Sequence, residues 1–264
     1  MSDWPPPAIG WRPHSGPLAA EQLGDHHGTR ISFVHGFTQT RNSWKPIAER
    51  FAAQGFLVTV VDLPGHGESA HVRADLRRTA DMLAAVCGTG IYVGYSLGGR
   101  ACLHAAVMYP HLVTSLVTIG ANPGIDDDGD RAERRLADDA LAAHLYDIGL
   151  EAFLREWTAL PLFGRYQPTA EDFADRMTNT VDGLATSLRL AGSGAQGSLW
   201  PRLRELNMPV LALAGELDPK FAAIADQIAD AVPNGRARLI PAAAHAAHLQ
   251  QQEATVALIA SATR

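Results

Sequence analysis

The chain has 264 residues, of which 47% are hydrophobic and 19% charged, with a formal net charge of −6. Such a chain buries a sizeable core, as one large α/β domain with an insertion or as two small domains. Its acidic balance gives no reason to expect nucleic acid or an anionic membrane as partner, and no apolar run approaches the ~20 residues of a membrane-spanning helix. Met1–Pro7 lacks the basic start and apolar core of a secretory signal, and two cysteines, Cys87 and Cys102, fit a reduced compartment, so a cytoplasmic protein is expected.

Residues 1–30 are rich in proline and glycine and read as a lead-in carrying one or two short edge strands. Strand and helix then alternate: strand Ile31–His35, helix Ser43–Gln54, strand Phe56–Asp62, helix Arg73–Val86, strand Ile91–Gly94, helix Ser96–Tyr109 and strand Leu112–Ile119. Near-continuous Val/Ile/Leu runs joined by helices predict a mostly parallel sheet covered on both faces. From Ile125 the rhythm breaks into amphipathic helices, Arg131–Ile148, Leu150–Thr158 and Ala170–Leu190, and Gly192–Gly197 reads as the returning linker. Alternation resumes with strand Val210–Ala214, helix Phe221–Ala231, strand Ala237–Ile240 and helix Glu253–Ser261. The expected division is an α/β core of residues 1–124 and 198–264, with 125–197 as a helical lid over the strand ends, where open α/β sheets bind ligands.

The most informative stretch is Gly94-Tyr95-Ser96-Leu97-Gly98, between the apolar run Ile91–Val93 and a helix-forming sequence. A serine hydroxyl is inert at neutral pH unless a turn presents it and a histidine takes its proton. A sharp strand-to-helix turn does the presenting, with Gly94 and Gly98 where a Cβ would collide, so Ser96 is the expected reactive residue. The order nucleophile, acid, histidine leaves only the C-terminal third for its partners. Asp218 follows a buried strand directly, and Glu216 is the fallback. His245 follows the last strand by a short loop and is the expected base; His248 reads as a substrate contact or a helix-start residue.

The backbone N–H groups of Leu97 and Phe37, the latter in His35-Gly36-Phe37 at a strand end, are positioned to hold charge developing on an oxygen. The loop Asp62–Ser69 reads as tight turns shaping the pocket floor. The His-x-x-His spacing of His245 and His248 has no third ligand nearby, so no metal is expected. No Gly-x-Gly-x-x-Gly opens a helix and there is no phosphate loop, so no nucleotide cofactor is expected.

Together these segments resemble the α/β-hydrolase superfamily over essentially the whole chain. Within it, Gly94–Arg100, Asn122–Ile125, Arg131–Arg134, Trp157 with Pro161–Phe163, Asp218–Phe221 and His245–His248 resemble the 2-succinyl-6-hydroxy-2,4-cyclohexadiene-1-carboxylate synthases of menaquinone biosynthesis. That resemblance implies a lyase without cofactor, which eliminates pyruvate from an enolpyruvyl-succinyl-cyclohexene carboxylate. Ser96 would act as base, activated by His245 and Asp218. Tyr95, His35 and His248 would lie against the substrate, Arg100, Arg134 and Arg176 would bind its carboxylates, and Trp157 would wall the pocket.

The arginines also carry a physical argument. A polycarboxylate suits guanidinium forks, whereas an esterase of neutral substrates has no reason to hold several arginines in an apolar cleft. Arg100 lies one helical turn from Ser96 and can face the same side. Other arginines of the insert, Arg131, Arg135, Arg155 and Arg165, are expected to face solvent. The chain departs from the synthase pattern after His248, where Leu249-Gln-Gln stands in place of a more polar run, and before His245, where alanine replaces glycine. The alternative is a serine hydrolase of a small ester, thioester or carbon–carbon bond, working through an acyl-enzyme and favoured if Arg134 and Arg176 point away from Ser96. A non-catalytic receptor would tolerate a broken triad, and this triad is intact. The expected partner is a small-molecule substrate, and the expected assembly a monomer or homodimer.

Overall fold

The computed structural model describes residues 10–262. Six parallel strands form the centre of the sheet: β3 (Arg30–Val34), β4 (Leu57–Val61), β5 (Gly90–Tyr95), β6 (Val113–Ile119), β7 (Val210–Gly215) and β8 (Gly235–Ile240). The short strands β1 (Arg12–His14) and β2 (Ala20–Gly24) add antiparallel at one edge, giving the order β1-β2-β4-β3-β5-β6-β7-β8. The expected edge strands are therefore present; the part of the lead-in at residues 1–9 lies outside the described residues.

Every residue of β4 is buried, as a strand covered on both faces requires. On one face Leu83, Leu103 and Ile228 pack from α2 (Leu76–Cys87), α3 (Leu97–Met108) and α7 (Pro219–Ala231). On the other, Phe51 and Ile259 from α1 (Lys45–Ala52) and α9 (Gln252–Ser261) pack on Phe33 and Val117. Each such side chain contributes about 1.5–3 kcal/mol by leaving water. α2 begins at Leu76 rather than Arg73, because the Asp75 carboxylate caps it by accepting from the Arg78 N–H at 2.8 Å.

Between β6 and β7 lie α4 (Asp128–Thr158), α5 (Ala170–Arg176) and α6 (Val181–Ala191). α4 is broken at Gly149, whose φ of 78° lies in the left-handed region, matching the expected division into two helices. The expected single helix Ala170–Leu190 is two. Thr180 is extended there and its hydroxyl caps α6 by accepting from the Gly183 N–H, while Asn179 turns its amide to a distant loop. Tertiary partners override an unbroken helical pattern. Leu145, Phe153, Leu184 and Leu188 give the insert its own small core. A short α8 (Ala247–Gln250) precedes α9, and His248 is its second residue, matching the reading of His248 as a helix-start residue. Among the described residues no helix is long and apolar enough to cross a membrane.

Candidate active site

The turn from β5 into α3 puts Ser96 at φ 49° and ψ −109°, a conformation that costs a non-glycine residue about 1–3 kcal/mol and is sustained by packing. A Cβ on Gly94 would run into the backbone of Gly98, and one on Gly98 into the carbonyl oxygens of Val34 and His35. These glycines let the turn press against the end of β3.

Asp218 follows β7 and caps α7, its Oδ1 accepting from the Phe221 N–H at 3.3 Å. Its Oδ2 lies 2.8 Å from His245 Nδ1, and His245 Nε2 lies 3.3 Å from Ser96 Oγ. The carboxylate fixes the imidazole so that Nε2 faces the serine hydroxyl. The loop after β8 that carries His245 is held from two sides. Its Ala242 N–H donates to Glu216 Oε2 at 2.8 Å, and the His245 N–H donates to the Leu162 carbonyl of the insert at 3.3 Å. Glu216, the fallback acid, thus braces this loop and does not reach the imidazole.

Ser96 and His245 open onto a cavity of about 160 Å³ between the strand ends and the insert. Phe37 and Leu97 also line it, and among the described residues neither backbone N–H has a protein acceptor. Tyr95 and Trp157 are on the wall, Trp157 standing edge-on to Phe37 at 5.0 Å with its indole N–H unpartnered.

Arg100 and Arg134 line the same cavity. Arg100 Nη1 donates to the Ala191 carbonyl at 2.7 Å and to Gln196 Oε1 at 3.1 Å, and no protein acceptor engages its other nitrogens among the described residues. Burial and the adjacent Arg134 lower its pKa to about 10, which leaves it cationic at neutral pH. Arg134 Nε donates to Asp138 Oδ1 at 2.8 Å, and Asp138 Oδ2 accepts from the Gly194 N–H at 3.0 Å. The buried carboxylate thereby holds both the arginine and the returning linker. Arg135, Arg155 and Arg165 are exposed, as expected, and Arg131 pairs with Asp128.

Three expected substrate contacts are not on this cavity. Arg176 is buried, with Nε 3.0 Å from Asp172 and Nη1 2.5 Å from Thr38 Oγ1. His35 is fully buried and ties β3 to the Asp62 loop: Nδ1 donates to the Gly36 carbonyl at 2.8 Å and Nε2 accepts from the Leu63 N–H at 3.0 Å. His248 is sealed between Trp44 and Tyr95, at ring separations of 4.5 and 4.2 Å. Sequence spacing brought these residues near the site without showing which way they face. Lys220, part of the Asp218–Phe221 segment but given no role in the site, lines the cavity without a carboxylate partner among the described residues. Asp138 was not singled out, and its i,i+4 spacing from Arg134 was the available signal. Among the described residues no three His, Cys, Asp or Glu side chains gather where a metal ion would be held.

A sequence profile of the family described as "alpha/beta hydrolase fold" matches residues 29–252. The chain belongs to the α/β-hydrolase fold family. Among curated relatives of this α/β-hydrolase, one from Bacillus subtilis, provisionally named 2-succinyl-6-hydroxy-2,4-cyclohexadiene-1-carboxylate synthase, is 34% identical over 88% of the chain and 89% of the relative. The enzyme of that name from Salmonella typhimurium is 32% identical over 94% of the chain and 99% of its own length. The solved structure of MenH from S. aureus superposes with a TM-score of 0.83 at 30% identity, over 92% of this chain and 96% of that one. The likeness therefore spans core and insert alike.

Proposed function

We propose that this α/β-hydrolase is a lyase that eliminates pyruvate from the enolpyruvyl-succinyl-cyclohexene carboxylate intermediate of menaquinone biosynthesis, the step for which its curated relatives are named. The observation that carries the reading is a wall of Arg100 and Arg134, with donors still free, in the cavity that Ser96 and His245 open onto. Two guanidinium groups lining the cavity of a reactive serine suit a polycarboxylate. Arg100, which burial desolvates, is costly beside a neutral substrate, while Arg134, its side chain 44% exposed, stays hydrated beside Asp138.

In this mechanism Ser96 Oγ passes its own proton to His245 Nε2 and takes one from the ring carbon beside the succinyl carbonyl. The electron pair moves onto the carbonyl oxygen, held by the Phe37 and Leu97 N–H groups. It then returns through the ring and breaks the carbon–oxygen bond to the enolpyruvyl group. His245 gives its proton to the departing enolpyruvate, which becomes pyruvate, and Asp218 stabilises the transient imidazolium. Residues 125–197 act as a lid over a core of 1–124 and 198–264, keeping water from the enolate. Two free, buried cysteines, Cys87 and Cys102, suit a cytoplasmic enzyme acting as monomer or homodimer.

A serine hydrolase of a small ester, thioester or carbon–carbon bond is the second reading. It is favoured by Arg176, which lies outside the cavity. The purified protein, given the enolpyruvyl intermediate, is expected to release pyruvate. Arg100→Ala should lower kcat/KM by about 10- to 100-fold, the weight of a charge-assisted hydrogen bond. Buffer-rate release together with turnover of a p-nitrophenyl ester would favour the hydrolase.

A further inference from the structure

Thr38 stands one residue beyond the Phe37 N–H, with a φ of 68°. A β-branched residue in the left-handed region is a genuine outlier and stays there only under restraint. The chain turns at this point: the Gln39 N–H donates to the Gly36 carbonyl at 3.2 Å, and Phe37 and Thr38 are the two residues between. With the Gly36 carbonyl held by the Gln39 N–H, Thr38 cannot relax to a negative φ without swinging the Phe37–Thr38 peptide plane. A compensating turn at Phe37 then tilts the preceding plane, which carries the Phe37 N–H.

The restraint comes from the insert. Arg176 Nη1 donates to Thr38 Oγ1 at 2.5 Å, and Asn179 Nδ2 donates to the Thr38 carbonyl at 2.9 Å. Asp175, from the same helix end, accepts from Thr40 Oγ1 and Asn42 Nδ2, each at 2.7 Å. Asn179 Oδ1 also accepts from the Gly67 N–H at 2.9 Å. Arg176 is 3% exposed, and the two side chains it donates to, Asp172 and Thr38, both lie off the cavity lining.

We propose that the end of α5, through Arg176 and Asn179, locks Thr38 in its left-handed conformation and so aims the Phe37 N–H at the oxygen on which charge develops. Arg176 is then a positioning residue rather than a carboxylate ligand, and the insert builds part of the site it covers. The inference rests on Phe37 as an oxyanion donor, a role shared by the lyase and hydrolase readings, and stands apart from the choice between them.

The test uses a neutral alkyl fluorophosphonate, which reacts with Ser96 and draws on the same N–H groups but carries no carboxylate. Thr38→Val removes the acceptor and keeps the shape. It is expected to slow labelling by about 10- to 100-fold, the scale of an ångström-level misplacement. Pyruvate release should lose the same factor in kcat, with KM within about twofold. Thr38→Ser, which keeps the hydroxyl, should label at the unaltered rate. Arg176→Ala should match Thr38→Val, and the double variant should be no slower than either single one. If removing Arg176 prevents folding, Arg176→Lys keeps a charge for Asp172 while losing the two-point fork, and should also label slowly. Unchanged labelling in Thr38→Val would overturn the proposal. So would an Arg176 variant that raises only the KM for the polycarboxylate, since that marks a substrate ligand. Absence of pyruvate release from the unaltered protein would strike the lyase reading alone, because labelling still decides this one.

Discussion

Ser96→Ala is expected to lower pyruvate release by about a thousandfold or more while substrate still binds. A positioned general base contributes about 10²- to 10⁴-fold, and a serine coupled to a histidine behaves as one unit, so His245→Ala should lose nearly as much and the double variant little further. The geometry underlies this: Ser96 Oγ, His245 Nε2 and Asp218 Oδ2 form one line of hydrogen bonds, of 3.3 and 2.8 Å. Binding should persist, because the Arg100 and Arg134 wall is untouched by the change. Rapid quench and mass measurement of the unaltered enzyme separates the two roles open to the serine. A base leaves the protein mass unchanged during turnover, whereas a nucleophile accumulates an adduct on Ser96. A Ser96→Ala variant that kept a tenth of the rate would remove the serine from the mechanism.

The residues that carry this chemistry were legible for a simple reason. Ser96 and Asp218 follow the buried strands β5 and β7, and His245 follows the largely exposed edge strand β8; a parallel sheet delivers the ends of all three to one edge. Proximity to the strand end does not separate Asp218 from the fallback Glu216, which stands two residues nearer β7. The structure separates them by turning Glu216 away to the Ala242 N–H and Asp218 toward His245. The arginines were harder. Arg134 and Arg176 both sit on helices of the insert with an aspartate four residues away, after Arg134 and before Arg176. Only the partner across the fold separates them: Arg134 shares Asp138 with the linker at the cavity, and Arg176 shares itself with Thr38. His248 stands at a helix start, one of its two expected places, but neither it nor His35 lines the cavity, because a buried histidine satisfied by backbone or packed on rings has no local signature. Least visible was Thr38, whose conformation contradicts its own propensity and exists only because residues 138 and 141 positions downstream hold it.

The same buried histidines make the protein acid-sensitive. Burial holds His35 down to about 4; burial, with His35 only 5.0 Å away, holds His66 down to about 3. His248, sealed between Trp44 and Tyr95, is held well below its ordinary value by burial and by Arg176. In the unfolded chain all three titrate near 6.5. The folded state therefore binds fewer protons, and stability is complete above about pH 6.5 and is lost as the pH falls toward 4. Neutral His35 and His66 at pH 4 together cost on the order of several kcal/mol, a large part of the 5–15 kcal/mol that holds a domain folded. Carboxylates such as Glu21, whose pKa burial raises but salt links to Lys45 and Arg41 hold below the usual range, add to the loss only below about pH 5. Urea midpoints are thus expected to be flat from pH 8 to about 6.5 and to fall steeply below, with about three protons taken up per unfolding event near pH 5 and part of a fourth by His104, which burial also holds below its ordinary value. His248→Phe, which fills the slot between Trp44 and Tyr95 with a ring that cannot titrate, should reduce that uptake by about one proton. An uptake below one proton near pH 5 in the unaltered protein would mean that water reaches these rings in the folded state, and that their burial does not set its acid limit.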